Sequence, residues 1–296
     1  MNPTVGLVGL GRMGGPMARN LLRAGLELVV HDIDSTRCAE AQRHGAHVAR
    51  SPREVSASSD ISLSIIMDDR VLRAVALGPD GILTGARPGH LYCDLSTVSP
   101  DASREVAQQA AAAAVHYLRA KVAGSVALAE RGELTVFASG DRADFETAEP
   151  VLACVGREVR YVGEDEAAHF LKLAHSVVVA VYAALVGEAV TFARGGGVDY
   201  DTVIDVLAGG PLASEQLTLK APLLKSREFG HPPSDVNTAA KDLDLVLLAA
   251  RGARVPMPLT AAVLQLMTAQ QARGEGASDI WSVIRAFEAM ADIGDT

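Results

Sequence analysis

The sequence has few aromatic residues: one Trp, five Tyr and six Phe, 4% of 296 residues. Its core must therefore be built from Ala, Val, Leu and Ile. Cysteine is equally sparse. Cys38, Cys93 and Cys154 are odd in number and widely spaced, which fits neither a disulfide framework nor a zinc site. A reducing, cytoplasmic compartment is the expectation, with no metal. Basic residues are in the minority, 27 Lys and Arg against 36 Asp and Glu, giving a formal net charge of −9. No segment is a run of Lys or Arg, so neither a nucleic acid nor an anionic membrane is an expected partner. The longest unbroken apolar stretch is residues 177–186. A membrane span needs about 20 such residues, so none is expected. Residues 5–10 already read as a strand entering a glycine loop, which leaves no room for a leader peptide. With 49% hydrophobic and 21% charged residues, the chain is not disordered.

Two regions of different character follow one another. In the first, short apolar runs at 5–10, 26–31, 61–67, 91–95, 134–139 and 158–162 alternate with helical patterns at 14–24, 35–44 and 104–114. Such alternation predicts βαβ units and a parallel sheet. From Glu166 onward the strand signal disappears. Residues 167–194 form an apolar stretch without proline, too long for a buried strand and so predicted helical. Residues 200–207, 243–251 and 259–273 have helical period, punctuated by glycines and prolines at 195–197, 209–211 and 232–233. The expected fold is α/β, a doubly wound sheet followed by an all-α domain. The expected boundary lies near Gly163, giving domains 1–163 and 164–296.

The first chemical motif is Gly9-Leu10-Gly11-Arg12-Met13-Gly14, a G-x-G-x-x-G placed between a predicted strand and a predicted helix. Gly9 permits the tight turn, Gly11 lets the backbone approach a pyrophosphate, and Gly14 lets helix and strand pack closely. The helix N-terminus then offers N–H groups to the anion. Asp32 ends the second predicted strand, where a carboxylate accepts ribose hydroxyls and repels a 2′-phosphate. This points to NAD, with NADP still open because Arg37 stands nearby. Asp34 and Ser35 are at least as well placed as Asp32 to cap the next helix.

Residues 9–22, GLGRMGGPMARNLL, resemble the opening signature of the β-hydroxyacid dehydrogenases of the 3-hydroxyisobutyrate dehydrogenase and tartronate semialdehyde reductase type. Four further segments match in order. Residues 94–100 resemble the family's D-x-S-T-x-x-P, and residues 127–134, with Gly132, its A-x-x-G-x-L. Lys172-Leu173-Ala174 stands where the catalytic lysine belongs. Lys241-Asp242-Leu243 and residues 256–259 resemble its K-D-L and P-x-P-L. The resemblance implies a Rossmann-type N-terminal domain and an all-helical C-terminal domain, with substrate and nicotinamide meeting between them. It implies a nicotinamide-dependent oxidation of a small β-hydroxy carboxylic acid, or reduction of its aldehyde, in a homodimer or homotetramer. Lys172 would be the general acid/base. Thr97 would lie on the nicotinamide side, Met67 and Asp68 would pass over the cofactor, and Lys241 would reach it. The chain has five lysines against 22 arginines, and arginine cannot exchange a proton near neutrality. A lysine at 172 in so Arg-biased a chain favours function.

The chain also departs from the resemblance. Where relatives read K-L-x-N-N, His175 and Ser176 replace the two asparagines, at i+3 and i+4 from Lys172. Where relatives read D-A-P-V-S-G-G, the chain reads Arg119-Ala120-Lys121-Val122-Ala123-Gly124-Ser125. Ala123 takes the place of the substrate-binding serine, leaving backbone N–H groups of Gly124 and Ser125, and the Ser125 hydroxyl, to hold the substrate carboxylate. Arg119 and Lys121 serve either an anionic substrate or the surface. Ser214, in a glycine-rich turn, is either a ligand or a helix cap. Two other functions are compatible with the pattern: an imine reductase, a group that generally lacks a lysine at this position, and a catalytically altered nucleotide-binding module.

Overall fold

The computed structural model describes residues 2–230, 232 and 234–294; Pro233, one of the expected helix punctuators, lies outside them. The elements in order are β1 (Val5–Val8), α1 (Gly14–Arg23), β2 (Leu28–His31), α2 (Ser35–Arg43), β3 (His47–Val48), α3 (Pro52–Ala57), β4 (Ile61–Ser64), α4 (Asp69–Leu77), α5 (Ile82–Gly85), β5 (Leu91–Asp94), α6 (Pro100–Ala112), β6 (His116–Ala123), α7 (Val126–Arg131), β7 (Leu134–Ser139), α8 (Arg142–Leu152) and β8 (Gly156–Gly163). Among the described residues only helices follow: α9 (Ala167–Gly195), α10 (Tyr200–Gly209), α11 (Glu215–Ser226), α12 (Val236–Ala253), α13 (Pro258–Ala272), a 3-10 turn (Ile280–Val283) and α14 (Ile284–Met290). The chain divides into two compact units between Lys172 and Leu173.

The first unit is one eight-stranded sheet in the order β3-β2-β1-β4-β5-β6-β7-β8. All neighbours are parallel except β6 and β7. Strands β1, β4 and β5 are buried along their whole length, as parallel strands covered by helices on both faces must be. One core joins Leu7, Leu63 and Cys93 to α1, α2 and α8; the other joins Val8, Val29 and Tyr92 to α3, α4 and α6. Helices α2, α3, α4 and α6 start on side-chain caps from Asp34, Ser51, Asp68 and Ser99, with Pro52 and Pro100 as first helical residues of α3 and α6.

Register places one residue of every strand except the short β3 in a single row across the sheet. His31 pairs with Val8, Val8 with Ser64, Ser64 with Asp94, Asp94 with Arg119, Arg119 with Ser139, and Ser139 with Gly163. The chain turns from strand to loop or helix at this row in β1, β2, β4 and β5.

The second unit is helical. Ala180, Ala183, Ala184, Val186 and Val190 of α9 pack with Ile204, Leu243, Met267, Trp281 and Ile284 in its core. By length and composition α9 could cross a membrane, with 44% of its most apolar window buried. Its apolar character continues past Gly187 and Glu188, which run length alone does not capture; the side it turns inward makes it a core helix. Leu171, Val178, Leu185 and Phe192, at 39%, 66%, 57% and 83% exposure, recur every seventh residue along its outside.

Candidate active site

The strand order turns back on itself at β1 and β4. The carboxyl ends of strands flanking such a switch are where doubly wound sheets bind ligands. The candidate residues of the first unit collect at that edge: Gly9–Gly14 after β1, Asp32 after β2, Met67 and Asp68 after β4, Thr97 after β5, and Ala123, Gly124 and Ser125 at the end of β6.

The glycines of the first loop differ in what forces them. Gly9 has φ +97°, and a Cβ there would strike the Ile65 carbonyl. A Cβ on Gly14 would strike the Gly9 carbonyl. Both are required by the protein's own packing. A Cβ on Gly11 would meet nothing nearer than Arg37 Nη1, 3.7 Å away. Packing does not explain Gly11, and the backbone there is left open to the close approach of a ligand. Helix α1 begins with no side-chain cap and no acidic residue in its first turn, so its N-terminal donors suit a pyrophosphate. These features fit a dinucleotide.

Asp32 is not the cap of α2; Asp34 is, accepting from Thr36 N. The Asp32 carboxylate accepts instead from Leu10 N at 2.6 Å and Asp34 N at 2.8 Å. It is thus fixed against the glycine loop, with remaining lone pairs for ribose hydroxyls. Arg37 lies 3.7 Å from Asp32 and 3.3 Å from Asp34.

Asp68 caps α4 through Val71 N, and Met67 beside it is 77% exposed. Ile66 N donates to Ser96 Oγ at 3.0 Å, joining this segment to the one bearing half-buried Thr97. Ser125 caps α7, accepting from Leu128 N, and Gly124 before it has φ +136°.

The segment expected as a substrate loop is a correction. Residues 119–123 belong to β6, and only Gly124 and Ser125 lie outside it. Arg119 and Lys121 are neither surface residues nor unneutralised cations. Lys121 is fully buried and donates to Asp94 Oδ2 at 2.5 Å and to the Asp94 carbonyl at 3.1 Å. Asp94 Oδ1 accepts from Ser64 Oγ and Ser96 N. Arg119 donates to Glu166 Oε1 through Nε at 3.1 Å and Nη2 at 2.5 Å, and stacks 5.0 Å from the centre of the Tyr117 ring. Glu166 Oε2 lies 2.8 Å from His169 Nδ1. Burial opposes charge on Asp94, yet Lys121 and Ser96 hold its carboxyl below the usual range. Burial lowers Lys121, partly offset by Asp94. Burial, then the Lys121 charge, lowers His169 to about 4. Glu166 is held at about 2 against burial, by His169 and Arg119. Sequence reasoning missed this cluster, although two basic residues in alternate positions of a strand are its visible trace.

Lys172, His175 and Ser176 all lie on α9. Lys172 is half-buried and His175 exposed. Ser176 is buried and donates to Asp242 Oδ2 at 3.1 Å, and Lys241 lies 2.9 Å from Asp242 Oδ1. Ser214 is the N-cap of α11, accepting from Leu217 N.

An α/β unit with a fixed glycine loop, an open Gly11 and an anchored Asp32 defines a dinucleotide-binding protein. Comparison with known proteins agrees. Residues 4–163 match the NAD binding domain of 6-phosphogluconate dehydrogenase, and residues 167–287 match the NAD-binding domain of NADP-dependent 3-hydroxyisobutyrate dehydrogenase. The chain is 30% identical over 292 residues to 2-(hydroxymethyl)glutarate dehydrogenase of Eubacterium barkeri, covering 98% of this chain and 96% of that one. It is 30% identical over 283 residues to the cytokine-like nuclear factor N-PAC of Xenopus tropicalis, covering 96% of this chain and 53% of that longer protein. The chain therefore spans about half the length of that relative. The crystal structure of 3-hydroxyisobutyrate dehydrogenase from Salmonella typhimurium superposes with a TM-score of 0.85 at 31% identity, covering 96% of this chain and 99% of that one. The protein belongs to the NAD(P)-binding hydroxyacid dehydrogenase family of the 3-hydroxyisobutyrate dehydrogenase type.

Proposed function

We propose that the protein interconverts a small β-hydroxy carboxylic acid and its aldehyde, using NAD in preference to NADP. Bound NAD supplies the hydride acceptor for the oxidation. Gly9, Leu10, Gly11, Arg12, Met13 and Gly14 hold the pyrophosphate, and Asp32 the ribose. Met67, Asp68 and Thr97 line the cofactor. Backbone N–H groups of Gly124 and Ser125, beside Ala123, take the substrate carboxylate. Lys172 accepts the hydroxyl proton on oxidation and returns it on reduction, which requires its amine uncharged when the hydroxy acid binds. His175 and Ser176 are assigned to substrate and Lys241 to cofactor. Cofactor binding is assigned to residues 1–163, and substrate specificity and assembly to 164–296.

The observation that carries this reading is Lys172 itself, a half-buried lysine near the start of an apolar helix in a chain with four other lysines. The experiment is titration with NADH and NADPH by nicotinamide fluorescence, followed by NAD with a panel of short β-hydroxy acids. Lys172→Ala is expected to abolish turnover while NADH still binds; near-normal turnover in that variant refutes the assignment. Hydride transfer to a cyclic imine with no hydroxy acid reacting favours imine reduction instead. NADH binding without any turnover favours a module that only binds cofactor.

The apolar stripe of α9 supports a homodimer or homotetramer, since apolar residues at seven-residue spacing form a seam for a second helix. The described cysteines are unpaired, and Cys38 and Cys93 are buried, in keeping with a cytoplasmic protein.

A further inference from the structure

Arg119 and Lys121 stand where the resembled motif has Asp and Pro, and each forms a buried ion pair. They share one face of β6, as alternate residues of a strand do, and Asp94 sits beside Arg119 in register. Each pair leads to a different functional segment. Lys121 holds both the carboxylate and the carbonyl of Asp94, the residue from which the chain runs through Ser96, the acceptor of Ile66 N, to Thr97. Lys121 is itself followed by Val122, Ala123 and Gly124. Arg119 holds Glu166, just before α9, and Glu166 meets His169 one turn before Lys172. Ser139 Oγ accepts from Ala168 N, fixing the same first turn to the end of β7. All four charged partners are buried, at 8% side-chain exposure or less. Removing charges from water is costly, and replacing such pairs by apolar groups is often neutral or stabilising. Stability alone is a weak reason for them.

We propose that Arg119 and Lys121 are positioning residues: through Glu166 and Asp94 they fix, from one strand, both the first turn of the Lys172 helix and the Thr97 segment. The alternation of β6 sets the spacing between the two anchor points. Neither side chain is assigned contact with substrate or cofactor. The catalytic consequence rests on the role proposed above for Lys172; the mechanical one does not.

The test uses the full-length protein and the variants Arg119→Lys, Glu166→Gln and Lys121→Met/Asp94→Asn. The first keeps the charge but loses the two-pronged contact, the second keeps the shape, and the third removes both charges of a pair, so that no buried charge is left alone. Amide hydrogen exchange is expected to speed up by about tenfold at residues 164–171 in the first two, and at 94–97 in the third, with β1 unchanged. Turnover per NADH-binding site is expected to fall about 10- to 100-fold, as for a displacement near 1 Å, with NADH affinity within about threefold of the parent. Exchange at those segments equal to the parent in folded variants overturns the proposal. So does exchange rising equally in β1, or turnover per site within about twofold where Lys172→Ala is inactive. If the parent oxidises no hydroxy acid, or Lys172→Ala stays active, the functional reading fails, and exchange alone decides the positioning role.

Discussion

Acidification should destabilise the first unit well before its carboxylates protonate. His169 is buried and its pKa is lowered from 6.5 to about 4, by burial first and then by Lys121. His90 is lowered from 6.5 to about 4 as well, by burial and then Arg87; its Nε2 sits 2.8 Å from Ser62 Oγ. In the unfolded chain both imidazoles take up a proton near 6.5, whereas the folded chain resists until about 4. Their contribution is therefore full above about pH 6.5 and is lost as the pH falls toward 4. At about 1.4 kcal/mol per pH unit, each histidine costs about 3 kcal/mol over that window. Together that is about 6 kcal/mol, against a total stability typically near 5–15 kcal/mol. The assay is urea unfolding at steps from pH 7.5 to 4.5, followed by far-UV circular dichroism. Fluorescence of Trp281, the single tryptophan and a core residue of the second unit, reports that unit separately. In His169→Gln the pH slope should fall by about half. An unfolding free energy varying by less than about 1 kcal/mol between pH 7 and 4.5 would refute the reasoning, as would an undiminished slope in the double variant His90→Gln/His169→Gln.

Gly9→Ala and Gly11→Ala should separate folding from binding. The first meets a left-handed backbone, worth about 1–2 kcal/mol, plus the Ile65 carbonyl, and should lower Tm by about 5 °C. The second should leave Tm unchanged and weaken NADH binding at least about tenfold; calorimetry and nicotinamide fluorescence decide. Asp32→Asn should reduce the preference for NADH over NADPH by about tenfold, the weight of a charge-assisted hydrogen bond. Arg37→Ala should weaken NADPH more than NADH, read from the two dissociation constants. Phe192→Asp should shift the molecular mass from light scattering toward the monomer while leaving secondary structure intact.

Much of this architecture could be read from the chain because local chemistry and global fold agree. Strand β7 occupies the predicted residues 134–139, and α9 was predicted from its length. The glycine loop was legible because its spacing falls between a strand and a helix, and Gly9 and Gly14 answer to packing. Strand β6 was not legible: Arg119 and Lys121 interrupt its apolar pattern, and their partners Glu166 and Asp94 are brought to them only by the fold. Helix α11 was hidden by Pro222 and its charged residues, and β3 by its two-residue length and exposure. The Ser176–Asp242 contact joins residues distant in sequence, so no spacing rule announces it.

The row of paired residues from His31 to Gly163 has a consequence for how this sheet can change. Each strand rises about 3.3 Å per residue and turns its side chains over at every step. Adding or deleting one residue just before the row would move the following segment by that distance and reverse its inward and outward faces. At the opposite edge, the turns around Gly25, Gly45 and Gly89 lie off this row: their left-handed φ favours glycine at each, but no neighbouring atom lies within 4 Å of where a Cβ would stand. Length variation, loop insertions and fusion tags should be tolerated at those three turns and rejected along the row, so the molecule has one edge open to redesign and one whose register is closed.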